Sequence, residues 1–235
     1  MILSIKDLYV NYGELEVLKG VTLDVPDGEI SLLLGANGSG KSTLMKTISG
    51  LIHPISGTIR YQGKRIDKMP AHNVFKLGIV QMSEGLSVFH QMSVMDNLKI
   101  GSDRRKDHKQ IKKDREGVLA RFPILKKRHN MEAGKLSGGE QQLLCLGRAL
   151  LAKPKIVLMD EPSKGLSPVA VNRVADVVLE IHKMGITIVI VEHNLRLGLS
   201  LAQNVFVLEN GIIAFQTKAS DLTQVEYAKK IYLGG

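Results

Sequence analysis

One cysteine and no tryptophan among 235 residues set the first limits on this chain. A lone Cys145 cannot close an internal disulfide, which fits a reducing compartment such as the cytoplasm. Aromatics make up only 4% of the residues, so there are few flat faces on which nucleic-acid bases could stack. Long apolar runs are missing as well: the longest, near Ile186–Val191, is strand-sized and far short of a membrane span. The start, Met1 to Asp7, has no basic stretch and no cleavage site, so no signal peptide is expected. There is no internal repeat and no low-complexity tract. At 44% hydrophobic, the chain can bury a core as one domain, or as a domain with an inserted subdomain. The remaining bias is a net charge of +9, much of it in Arg104–Arg115 and Lys126–Arg128. Without interleaved aromatics, these runs read as a solvated helix face near an anionic membrane, and no nucleic-acid partner is expected.

What is present divides into stretches of different period. Ile2–Val10 and Val21–Val25 alternate apolar and polar residues, and the turn Pro26-Asp27-Gly28 follows. Thr58–Tyr61 is a further short strand, and together these suggest a small antiparallel layer. Gly78–Met82 reads as a core strand. From about Val94 to Ala152 the period becomes helical, with many charges and few β-branched residues. Lys155–Met159 and Ile186–Val191 then return as the continuous apolar runs of buried parallel strands. Pro168 is placed to open a helix between them and Gly185 to end it, while Asn210-Gly211 predicts a hairpin joining Val205–Leu208 to Ile212–Phe215. Strands alternating with helices make an α/β sheet domain.

The stretch that organises the rest is Gly35-Ala36-Asn37-Gly38-Ser39-Gly40-Lys41-Ser42-Thr43. It follows Glu29–Leu34, which reads as a buried strand, and opens the helical Ser42–Ser49, which is the strand, glycine loop and helix order of a phosphate-binding P-loop. The glycines let backbone N–H groups curl around a polyphosphate, and the helix N-terminus adds its positive end. Lys41 would place its charge on the β- and γ-phosphates, and the Ser42 hydroxyl would ligate Mg²⁺. A nucleoside triphosphate such as ATP is therefore the expected ligand.

Two carboxylates end the apolar run Ile156–Met159. That strand is expected beside the P-loop strand, with Asp160 holding Mg²⁺ directly or through water and Glu161 polarising a water for attack on the γ-phosphorus. Upstream stands Leu136-Ser137-Gly138-Gly139-Glu140-Gln141-Gln142. Ser137 can cap a helix, and Gly138-Gly139 exposes backbone N–H groups, so this stretch is either a second anion site or the N-cap of an amphipathic helix over Gln141–Leu151.

Leu-Ser-Gly-Gly-Glu shortly before a strand ending in Asp-Glu resembles the signature of the ABC-type ATPases. The resemblance implies a P-loop NTPase fold: a RecA-like core sheet with an antiparallel β layer and a helical signature subdomain. It implies one nucleotide-binding domain over residues 1–235, with the helical subdomain inserted at about 85–152. It also implies two such domains packed head to tail, each ATP lying between one P-loop and the partner's Ser137, Gly138, Gly139 and Glu140. Tyr12 resembles the aromatic that stacks on adenine, Ser163–Pro168 the loop linking the two sites, and His193 the switch histidine at the γ-phosphate. Glu84 stands where the family usually has a glutamine that reaches the metal. Together with Ser163-Lys164-Gly165-Leu166-Ser167-Pro168 and the ending Tyr232-Leu233-Gly234-Gly235, this is similar to the LivF-type ATPases of branched-chain amino-acid importers. In those proteins arginines commonly follow the glutamate, whereas Leu86 and Ser87 do so here.

The function implied is that of the ATP-hydrolysing subunit of an importer. Its partners would be integral-membrane permease subunits, a second copy of itself or a sister ATPase and, indirectly, a solute-binding protein. Its place would be peripheral, on the cytoplasmic face of the plasma membrane. An export or lipopolysaccharide-extraction ATPase, and a soluble ABC ATPase, are the alternatives.

Overall fold

The structure, a computed structural model, describes residues 1–83 and 88–224. The chain opens with two long strands, β1 (Leu3–Tyr12) and β2 (Leu15–Val25), paired antiparallel. Next come β3 (Ile30–Leu34), α1 (Lys41–Ile48), β4 (Ser56–Tyr61), the two-residue β5 (Lys64–Arg65), α2 (Ala71–Lys76) and β6 (Ile79–Met82). A helical stretch follows: α3 (Val94–Gly101), α4 (His108–Arg121), α5 (Pro123–Lys127), a single 3₁₀ turn at Ala133–Lys135 and α6 (Gly138–Leu151). The chain then returns to the sheet through β7 (Ile156–Asp160), α7 (Pro168–Lys183), β8 (Thr187–Val191), α8 (Leu195–Leu201), β9 (Asn204–Glu209) and β10 (Ile212–Lys218). No helix among the described residues is long and apolar enough to cross a membrane.

Two sheets result, an antiparallel layer in the order β2-β1-β4-β5 and a larger one in the order β10-β9-β3-β8-β7-β6. In the larger sheet β9, β3, β8, β7 and β6 run parallel, and β10 closes one edge antiparallel to β9. The parallel strands are apolar throughout because both of their faces are covered. Ile30, Leu32 and Leu34 of β3 enter the core beneath the helices, while Leu33 enters the core shared with the antiparallel layer and α1. The same division holds for β7, where Val157 and Met159 face one way and Ile156 and Leu158 the other. A backbone bond from Lys19 N–H to the Gly211 carbonyl (2.8 Å) ties the antiparallel layer to the turn between β9 and β10.

The strand order corrects one expectation. β7, which ends in Asp160, does not lie beside the P-loop strand: β3 is flanked by β8 and β9, and β7 is one place further out. The three buried strands are near-identical apolar runs, so no local pattern encodes which of them are neighbours. The parallel register nonetheless brings their ends level, with Leu33 beside Val191 and Val191 beside Asp160. Two strand spacings, about 10 Å, separate the backbone at Asp160 from β3.

The helices between β6 and β7 carry their own caps. Ser93 accepts the Asp96 N–H at 3.0 Å at the start of α3. Asn97, fully buried, donates to the carbonyls of Phe89 (3.0 Å) and Ser93 (3.0 Å) and accepts the Phe89 N–H (2.8 Å), which fixes the entry to this segment. Leu98, Val118, Phe122, Leu125, Leu143 and Leu146 join the core under the larger sheet.

Candidate active site

The phosphate loop is shaped by lack of space. A Cβ on Gly35 would sit 2.2 Å from the Leu208 carbonyl oxygen and 2.5 Å from the Ser39 hydroxyl. Gly40 has φ 106°, in the left-handed region, and a Cβ there would lie 2.7 Å from Leu18 Cδ2. Only glycine lets the loop pass between β2 and β9 and turn into α1, which starts at Lys41 with Gly40 as its N-cap. The Lys41 side chain folds back over the loop, and Nζ donates to the Gly35 and Ala36 carbonyls at 2.9 Å each. Lys41 is 5% exposed, yet it is among the residues lining the cleft above the loop.

A cleft of about 470 Å³ opens over this loop, lined by Tyr12, Val17, Asn37, Gly38, Gly40, Lys41, Ser42, Thr43, Glu161 and Lys164. Tyr12, at the end of β1, is 49% exposed and lines the cleft. Residues expected from the sequence to contact nucleotide thus come together from β1, the loop after β3 and the loop after β7. Asp160 is the last residue of β7, is buried, and is not among the lining residues. Ser39 is buried within the loop itself.

Glu161 is the most constrained residue of the site. It has φ 53°, a left-handed conformation that costs a residue with a Cβ about 1 kcal/mol or more. Its N–H donates to the Val191 carbonyl (3.0 Å), so the strain is held by the end of β8. The carboxylate is paired on both sides, with His193 Nε2 2.7 Å from Oε1 and Lys164 Nζ 2.9 Å from Oε2. Burial alone would raise its pKa, but the bonds to Lys164 and His193 and their charges outweigh burial and hold it below the ordinary value. Glu161 is therefore held ionised at the cleft wall, with both carboxylate oxygens engaged.

Beside it lies a residue that sequence reasoning passed over. Glu192 immediately follows β8 and is buried. It accepts the Ser163 backbone N–H at 3.0 Å and the Ser163 hydroxyl at 2.8 Å. Burial pushes its carboxyl pKa up, opposed by the bonds from Ser163 and Asn194 and assisted by the nearby charge of Glu161. An acid ending an apolar run is the same sequence signal that drew attention to Asp160 and Glu161. Lys164, known from the sequence only as part of the linking loop, is the other residue whose contact with Glu161 needed the structure.

The second anion-site stretch lies apart from this cleft, at the N-terminus of α6. Ser137 and Glu140 form a reciprocal capping box, with the Ser137 N–H donating to Glu140 Oε2 at 2.9 Å. Gly138 and Gly139 are the first residues of the helix, which begins three residues earlier than the apolar pattern suggests. Arg128 pairs with Glu140 at 3.0 Å and steadies the cap from α5. None of Ser137, Gly138, Gly139 and Glu140 lines the phosphate cleft. Glu84, expected near the metal, lies outside the described residues, as do Leu86, Ser87 and Tyr232–Gly235.

The family model described as ABC transporter matches residues 18–164. Over 234 residues the chain is 39% identical to the high-affinity branched-chain amino acid transport ATP-binding protein BraG of Pseudomonas aeruginosa, covering 99% of this chain and 100% of that protein. It is 31% identical over 234 residues to the lipopolysaccharide export system ATP-binding protein LptB of Escherichia coli, covering 99% and 97%. A solved nucleotide-free ATP-binding cassette from an ABC transporter matches the fold with a TM-score of 0.88 at 28% identity, covering 100% of this chain and 99% of that one. The ADP conformation of an ATP-binding cassette of an ABC transporter matches with a TM-score of 0.88 at 29% identity, with the same coverage.

Proposed function

The chain belongs to the ABC transporter family and is an ATP-hydrolysing subunit, and from that premise we propose that it drives the import of branched-chain amino acids or related small solutes. In this reading residues 1–235 form one nucleotide-binding domain, and the helical stretch of about 85–152 is the subdomain that carries the signature. The observation that carries the hydrolysis on which this import would run is the shared cleft. Glu161, held at 2.7 Å by His193, lines the same cavity as Lys41 and Ser42, so a proton acceptor stands across from the phosphate cradle.

The division of labour follows from the chemistry of each group. The Tyr12 ring offers a face for adenine, and the backbone N–H groups of Gly38 to Ser42 and the Lys41 ammonium hold the phosphates. Mg²⁺ fits the donors present, since Ser42 and Asp160 both supply oxygen and Glu84 would add a further carboxylate. Among the described residues no group of three or more His, Cys, Asp and Glu is arranged to hold a metal ion by itself. Phosphate oxygens and water would then complete the ion's shell, which is the usual mode for Mg²⁺. When bound, the ion neutralises charge on the β- and γ-phosphates. Glu161 takes the proton of the attacking water, and His193 keeps its carboxylate oriented.

The signature residues Ser137–Glu140 lie away from the cleft of their own chain and would serve the cleft of a second copy or a sister ATPase. ATP would close that pair and hydrolysis would reopen it, moving separate integral-membrane permease subunits at the cytoplasmic face. A solute-binding protein would meet the permease rather than this chain. The identity to BraG supports import, while the 31% identity to LptB keeps lipopolysaccharide export as the second reading. In the host cell, Glu161→Gln should abolish uptake of labelled leucine, isoleucine and valine and leave surface lipopolysaccharide unchanged. The opposite pattern would assign the chain to export.

A further inference from the structure

Two consecutive residues at the end of β8 hold two residues of the loop that leaves β7. His193 reaches Glu161 at 2.7 Å, and Glu192 takes both the N–H (3.0 Å) and the hydroxyl (2.8 Å) of Ser163. Glu192 is 1% exposed, and a carboxylate at that depth is costly unless hydrogen bonds satisfy it. Asn194 N–H gives a longer contact at 3.4 Å, so Ser163 supplies the two shortest of these three bonds. If Ser163 moved away, those two bonds to the buried carboxylate would be lost. Further along, Lys164, Gly165 and Ser167 are exposed while Leu166 is half-buried against the core, and α7 opens with Pro168 and Val169 exposed. The loop is thus clamped at Ser163, with Glu161 just before the clamp, and it presents Lys164, Gly165 and Ser167 to solvent before Ser167 caps α7.

We propose that Glu192 is a positioning residue that fixes the loop Ser163–Ser167 in register with the pair Glu161–His193. Contact with the exposed part of the loop is then transmitted to Glu161 through Ser163, alongside the direct Lys164–Glu161 pair. The inference rests on the ATPase reading above, in which this loop meets a second nucleotide-binding domain. It adds a role for a residue that is not among those lining the phosphate cleft.

The test compares the purified full chain with Glu192→Ala, Glu192→Gln, Ser163→Ala and the Glu192→Ala/Ser163→Ala double variant. Affinity is read with a fluorescent ATP analogue, turnover at steady state, and folding by thermal midpoint. Removing a hydrogen bond to a charged group predicts a loss in kcat of roughly tenfold or more for Glu192→Ala, while ATP affinity stays within about twofold because the P-loop is untouched. Gln keeps an oxygen for the Ser163 N–H and an amide N–H for its hydroxyl, so it should recover most of the rate. Ser163→Ala loses only the hydroxyl bond and should cost about threefold in kcat, and the double variant should be no slower than Glu192→Ala alone. A wild-type kcat in Glu192→Ala, or strictly additive losses in the double variant, would overturn the proposal. Should Glu192→Ala not fold, an unchanged kcat in a fully folded Ser163→Ala would overturn it equally. A wild-type chain that hydrolyses no ATP would sink both this inference and the reading beneath it. Normal wild-type turnover with an indifferent Glu192 would sink the inference alone.

Discussion

At the ends of β7 and β8 three carboxylates, Asp160, Glu161 and Glu192, are 4%, 8% and 1% exposed. Across the helical stretch the opposite holds. Residues 102–129 contain eleven Lys and Arg against four Asp and Glu, so they carry +7 of the chain's +9. Nearly all of these side chains are exposed or half-buried. In the first region Glu161 and Glu192 have specific partners, and Glu161 sits on left-handed backbone held by the end of β8. In the second, ions are numerous and water can replace most partners. Low dielectric makes the few buried charges decisive, and solvent makes the many exposed ones individually weak.

The sharpest way to test that contrast is Glu161→Gln, which preserves size and removes the proton acceptor. ATP should still bind, while kcat falls by about 10²–10⁴, the range for losing a general base. Normal turnover would show that burial and pairing at this position have no catalytic use.

A middle case is Arg105, the best-anchored ion of the helical stretch. It pairs with Asp107 (2.7 Å) and Asp114 (2.6 Å) and donates to the Leu151 carbonyl at the end of α6 (2.9 Å). Arg105→Ala should destabilise the fold by about 1–2 kcal/mol, mainly by stranding that carbonyl and the half-buried Asp114. The effect has a pH signature. Burial would raise the Asp114 pKa, but bonds from Gln110 and Arg105 overcome this and hold it below its ordinary 3.8. A carboxyl depressed in the folded state contributes stability that is complete above its unfolded value and lost as pH falls through its folded one. The gap between wild type and Arg105→Ala, measured by urea denaturation, should therefore be constant near neutrality and narrow below about pH 3.8. A gap independent of pH would mean that packing, not charge, anchors Arg105.

The smallest effect is expected at Lys126 and Lys127, exposed at the end of α5. Replacing either by Ala should change stability by no more than about 0.5 kcal/mol and leave ATP turnover unaltered. A larger loss in turnover would mean that the basic face has a partner within the catalytic cycle.

The sequence by itself determined whatever depends on neighbours along the chain. The P-loop was legible because glycine spacing, a lysine and a hydroxyl act within nine residues, between an apolar run and a helix. The same holds for the Asn210-Gly211 hairpin, the Ser137–Glu140 cap and the helix opened by Pro168. The tertiary structure decided what depends on which strands are neighbours. β3, β7 and β8 are all short apolar runs, so their pattern cannot state that β8 lies between the other two. Burial on both faces erases the alternation that would otherwise orient a strand. For that reason the pairing of Glu161 with His193, 32 positions apart, and of Ser163 with Glu192, 29 apart, appears only once β7 and β8 are side by side. Residue types announce that an acid is available; sheet order decides which groups surround it and therefore which proton state it keeps.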